Sequence, residues 1–139
     1  TPRTIIELAF KILNGCYGWG GVNGEQDCSA FLKQVFATVG IDLPRNSGEQ
    51  GKSGILIKNL SEALPGITIA QLKWHIVLYL GMVGGRSYAI HEVYAYREPV
   101  NGKDQTRVLN RVVVSDLDLG AGSMKGSMFN RIVAIREVR

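Results

Sequence analysis

The apolar positions of this chain follow helical spacing first and strand spacing later. Ile5, Ile6, Ala9, Ile12 and Leu13 form a stripe of helical period. This predicts a helix over 4–14, opened by a Thr4/Glu7 capping box and ended by Gly15. Phe31, Leu32, Val35, Phe36 and Val39 predict a second helix over 28–39, with Asp27 as N-cap and Gly40 as its stop. Between them, residues 17–26 (YGWGGVNGEQ) hold four glycines and read as a loop in which backbone approaches closely. Residues 41–73, broken by Pro44, Gly48, Gly51, Gly54, Pro65 and Gly66, read as irregular, with a short helix near 58–64. The pattern then turns to strands, at 75–82 and 87–94 around Gly84-Gly85, a hairpin signal, and at 107–115 and 129–137. Helices followed by an antiparallel sheet define an α+β fold, with the N-terminal helices packed on the sheet.

Composition narrows this picture modestly. The 139 residues fit a single domain, 1–139, large enough to bury a core. Apolar residues make up 45% and charged residues 20%, as in ordinary globular proteins. No apolar run is long enough for a membrane span. No signal peptide is visible, and a chain opening on Thr1 reads as a processed protein or an excised domain. The net charge of +4 favours anionic partners. The basic residues are scattered, so no nucleic-acid footprint is expected.

Candidate chemistry rests on two cysteines and two histidines. A Cys16–Cys28 disulfide would suit an exported protein, but two cysteines are no framework. A zinc site built from Cys16, Cys28, His75 and His91 lacks the short ligand spacings of structural zinc. The third reading is a nucleophile with a base brought to it by folding. Cys28, expected in the first turn of a helix, would feel the dipole and the unpaired N–H groups that favour thiolate. Against this stands the ordinary fate of a lone cysteine, an inert core thiol. His75 opens an apolar strand and His91 lies within the next, so both rings need polar partners. A two-residue turn at Gly84-Gly85 pairs residues whose numbers sum to 169, which sets the rings on opposite faces. An odd-numbered loop, or a bulge of equivalent effect, brings them to one face as diagonal or direct neighbours. A shared site requires one of the two.

These residues resemble a known family. Tyr17-Gly18-Trp19-Gly20-Gly21, Asp27-Cys28-Ser29, Leu43-Pro44-Arg45-Asn46-Ser47 with Gln50, the strand His75 to Gly81, and Ala89-Ile90-His91 together resemble an NlpC/P60 cysteine peptidase. The likeness is nearest to members in which bacterial SH3 domains precede the peptidase. Cys16 stands where the family often has Pro, Ala30 where it has Gly, and Val77 where Gly is common. None of these departures removes a reacting group.

The resemblance implies a papain-like α+β fold, a location in the cell envelope, and hydrolysis of peptidoglycan stem peptides between γ-D-glutamate and a diamino acid. It implies Cys28 as nucleophile, His75 as general base and His91 as the residue that orients it. Tyr17 would line the oxyanion site, and Asp27 and Ser29 would hold the substrate amine. No metal or organic cofactor is implied. Competing roles stand beside these: Trp19 as a packing anchor, Arg45 as a pin for the irregular segment, Asp27 as a helix cap only, Cys16 as a core residue, and Tyr79 and Tyr88 as strand packing. The same triad would also serve an amidase or acyltransferase, and a silent wall-binding module is the reading outside enzymology.

Overall fold

A computed structural model describes residues 1–11, 24–73, 75–124 and 126–138, with the side chains of 24–27, Tyr94 and Asn110 left aside. Helices α1 (Pro2–Lys11), α2 (Gly24–Ala37) and the short α3 (Ser47–Gln50) precede most of the sheet. Among the described residues its strands are β1 (Ile55–Leu56), β2 (Thr68–Leu72), β3 (His75–Val83), β4 (Arg86–Val100), β5 (Lys103–Asp116) and β6 (Ile132–Glu137). They lie in the order β1-β6-β2-β3-β4-β5, and every pairing is antiparallel. The expected α+β architecture is therefore present.

Several local expectations are revised. The first helix is capped one turn earlier than Thr4: Thr1 Oγ1 accepts the Thr4 N–H at 3.2 Å, and Pro2 takes the first helical position. Proline suits that position because its missing N–H would have no partner there. Glu7 binds Arg3 at 2.9 Å and closes no capping box. The second helix begins at Gly24, so Asp27 lies within its first turn and is not its cap. Glu25 and Gln26 are good helix formers and extend the helix backward. Its end fits expectation: Gly40, at φ +83°, lets Ile41 N–H return to Phe36 O.

Within the segment read as irregular, α3 is capped by Asn46, whose side chain accepts the Glu49 N–H at 2.8 Å. A single 3₁₀ turn at Leu60–Glu62 stands for the short helix expected there. Thr68–Leu72 is a central strand that the pattern did not reveal. Both of its faces are buried, so it shows no apolar–polar alternation. The last strand begins at Ile132, after a 3₁₀ turn at Phe129–Arg131.

The sheet is covered on both sides. On one side Ile69, Ile76, Leu78, Ile90 and Val112 pack against Ile5, Ala9, Cys28, Phe31, Leu32, Val35 and Phe36 of the first two helices. On the other, Ala70, Leu72, Val77, Tyr79, Ala89 and Ile135 pack with Leu60, Leu117 and Met128. Consecutive strand residues thus belong to different cores, which fixes the face on which each polar side chain lies.

Candidate active site

The β3–β4 hairpin decides where the histidines go. Gly84 and Gly85 form a two-residue turn with φ of +58° and +79°, and Val83 pairs with Arg86. Met82↔Ser87 and Gly81↔Tyr88 keep the sum of 169, but Tyr79↔Ala89 and Leu78↔Ile90 follow 168. One extra residue, Leu80, is taken up between Tyr79 and Gly81 as a bulge. The loop is even, and the bulge supplies the one-residue shift that the shared-site argument required.

The rings consequently meet. His75 Nε2 and His91 Nδ1 lie 2.8 Å apart, with the rings edge to face at 67°. His91 Nε2 lies 2.8 Å from the Ser115 hydroxyl on β5. Burial, with the Arg131 charge second, lowers the His75 pKa from 6.5 to about 4. Burial, with the His75 charge second, holds His91 well below 6.5. Both rings are therefore neutral at pH 7, with one N–H each. One arrangement satisfies every contact and leaves a basic nitrogen: His75 Nε2–H donates to His91 Nδ1, and His91 Nε2–H donates to Ser115 Oγ. The lone pair of His75 Nδ1 is then available to take a proton.

Cys28 comes from α2. Its side chain is 1% exposed and belongs to the helix-side core with Ile76, Leu78 and Ile90. His75 and His91 alternate with those residues and share the other face with Val77, Tyr79 and Ala89. The structure brings the two histidines together on β3 and β4, with Cys28 near the start of the helix that packs against those strands. Because α2 starts at Gly24, Cys28 also sits in its second turn, where the dipole acts more weakly than in the first.

Ser29 is buried as well: its hydroxyl accepts from Arg45 Nη1 at 3.2 Å, and its carbonyl accepts from Gln50 Nε2 at 3.0 Å. Gln50 also donates to Pro44 O at 2.8 Å, so Arg45 and Gln50 pin the segment 43–50 to α2. Tyr79 is a packing residue of the second core. Asp27 is helical, with its side chain outside the described set; Tyr17, Cys16 and Trp19 lie outside the described residues. Ser115 and Arg131 were not singled out from the sequence. Ser115 ends a valine-rich strand, and Arg131 belongs to no periodic pattern.

An antiparallel sheet with N-terminal helices and a hydrogen-bonded histidine pair on adjacent strands defines an α+β domain of the papain-like class. The model of the NlpC/P60 family matches residues 15–107, and the chain belongs to that family. It is 50% identical over 64 residues to the probable endopeptidase p60 of Listeria monocytogenes, covering 45% of this chain and 13% of that protein. It is 31% identical over 97 residues to the gamma-D-glutamyl-L-lysine dipeptidyl-peptidase of Bacillus subtilis, covering 69% of this chain and 29% of the relative. The chain thus spans less than a third of either relative. An NlpC/P60 family protein from Bacillus cereus superimposes on 99% of this chain and 40% of its own, with a TM-score of 0.67 at 21% identity. The peptidoglycan hydrolase RipB of Mycobacterium tuberculosis does so over 99% and 64%, with a TM-score of 0.65 at 19% identity. These likenesses establish the fold.

Proposed function

We propose that this domain hydrolyses peptidoglycan stem peptides at the bond between γ-D-glutamate and a diamino acid, outside the cytoplasm, with Cys28 as nucleophile. His75 Nδ1 takes the thiol proton, the thiolate attacks the amide carbonyl, and the protonated ring returns the proton to the leaving amine. Water then releases the acyl group. His91 fixes the orientation and tautomer of His75, as the third member of a triad does. Tyr17 lines the oxyanion site and Asp27 and Ser29 hold the substrate amine in this reading; no metal or organic cofactor enters it. The observation that carries it is the hydrogen-bonded chain His75–His91–Ser115, which leaves one basic nitrogen on a ring kept neutral. The activity named for the Bacillus subtilis relative supports the choice of bond.

One observation favours a different reading. Cys28 is 1% exposed within the helix-side core, as the inert thiol of a wall-binding module without thiol chemistry would be. The two readings separate in one experiment. Wild type, Cys28→Ala and His75→Ala are incubated with purified peptidoglycan and free stem peptides, and products are identified by mass. A peptidase releases γ-D-glutamyl-terminated fragments. His75→Ala lowers kcat by roughly 10²–10⁴-fold, and Cys28→Ala abolishes release. Retention of peptidoglycan by all three proteins, with no cleavage by any, establishes the binding module instead.

A further inference from the structure

A cavity of about 210 Å³ opens between the β4–β5 hairpin and the segment 117–131. Arg97, Arg131, Thr106, Tyr96 and Ser123 contribute its polar lining, and no carboxylate is among the described residues that line it. Glu98, the neighbour of Arg97 in sequence, is engaged by Arg107 at 2.6 Å. Asp104 accepts the Met124 N–H at 2.9 Å. Among the described residues, neither Arg97 nor Arg131 makes an ion pair, and Arg131 Nε is buried with no hydrogen-bond partner.

A buried guanidinium N–H without an acceptor is costly, and a planar carboxylate accepting two parallel N–H bonds relieves that cost best. The cavity is smaller than the roughly 300 Å³ from which drug-sized ligand sites begin, so it suits one acidic group and not a whole sugar. It also lies further along the strand that carries His91. His91, Val93, Ala95 and Arg97 share one face of β4, and the Arg131 charge is felt at His75.

Resting on the peptidase reading, we propose that the Arg97–Arg131 cavity is a subsite for a free carboxylate of the stem peptide, held there while the scissile amide lies at the histidine pair. The two arginines would then select peptides by an acidic group a short distance along the chain from the bond cleaved.

Binding is measured first without turnover. Cys28→Ala protein is titrated calorimetrically with an L-Ala-γ-D-Glu-diamino acid-D-Ala peptide and with analogues in which each carboxylate in turn is a carboxamide. One replacement should weaken binding by about tenfold, the scale of a lost charge-assisted pair. Arg97→Gln and Arg131→Gln, each in the Cys28→Ala background, should erase that difference, and Arg97→Lys should restore only part of it. Equal affinity for all analogues overturns the proposal. So does a carboxylate preference that survives both glutamine variants, or displacement of the peptide by inorganic phosphate at equal concentration. Carboxylate-dependent binding in a protein that cleaves nothing would leave the subsite standing while the peptidase reading fell.

Discussion

At the scale of single residues, the site is a problem in placing protons. In the tautomer that leaves His75 Nδ1 basic, the His75–His91 contact uses one N–H and one lone pair, and Ser115 accepts the remaining N–H of His91, which is wholly buried. Ser115→Ala should leave that N–H without an acceptor and cost about 1–3 kcal/mol, read as a lower denaturation midpoint with an unchanged slope. Arg131 acts on the same pair through its charge, which disfavours the imidazolium of His75. Arg131→Gln should therefore raise the His75 pKa above about 4, with burial still holding it below 6.5. An NMR titration of the ring carbon protons measures this, and a pKa unmoved or lowered would show that the charge is not felt. The histidine pair was legible in the sequence because a polar ring in an apolar strand demands a partner. Ser115 and Arg131 were not, because a serine at a strand end and an arginine in a connection are everywhere tolerated on a surface.

At the scale of elements, one bulge makes the site. Without Leu80 the 169 register would run the length of the hairpin, His75 would face Tyr94, and the two rings would lie on opposite sides of the sheet. Gly81 stands at that bulge with φ +114°, and a Cβ there would come within 3.1 Å of Pro65 Cγ. Gly81→Ala should cost about 1–3 kcal/mol from backbone strain. If the bulge is lost in relieving that strain, the His75–His91 hydrogen bond goes with it. Thermal unfolding and the His75 Nε2 and His91 Nδ1 NMR signals together check this; wild-type stability in the variant would show that the bulge does not need glycine. Parity arithmetic could require a one-residue shift but not choose between loop and bulge, since both move the face equally. The same limit explains β2: a strand buried on both sides carries no alternation, and Pro65-Gly66 beside it reads as loop. For α2, the apolar face fixed the body of the helix, but a polar first turn at Gly24 to Asp27 left its start ambiguous.

At the scale of the molecule, the sheet separates two cores, and this separation sets what the sequence could reveal of the site. Cys28 and the histidines could each be marked as candidates, and the α+β order of elements was plain. Which face of the sheet receives α2 depends on how the whole chain wraps, and no local pattern states it. The wrapping also buries two titratable rings that stay neutral in the fold, which makes stability depend on acidity in a definite direction. In the unfolded chain both histidines take up protons near pH 6.5, whereas His75 does so in the fold only at about 4 and His91 well below 6.5. Between these values the unfolded state binds more protons. Stability is thus full above pH 6.5 and falls as pH drops toward 4, by up to about 1.4 kcal/mol per pH unit for each histidine. Urea unfolding at pH 7.5, 6.5, 5.5 and 5.0, above the range where most carboxylates titrate, isolates this contribution. His91→Gln removes one of the two protons, so its stability should fall about half as steeply with acid as that of the wild type. Identical slopes would mean that the rings are already protonated in the fold, and that the neutral chain from His75 to Ser115 does not exist over this pH range.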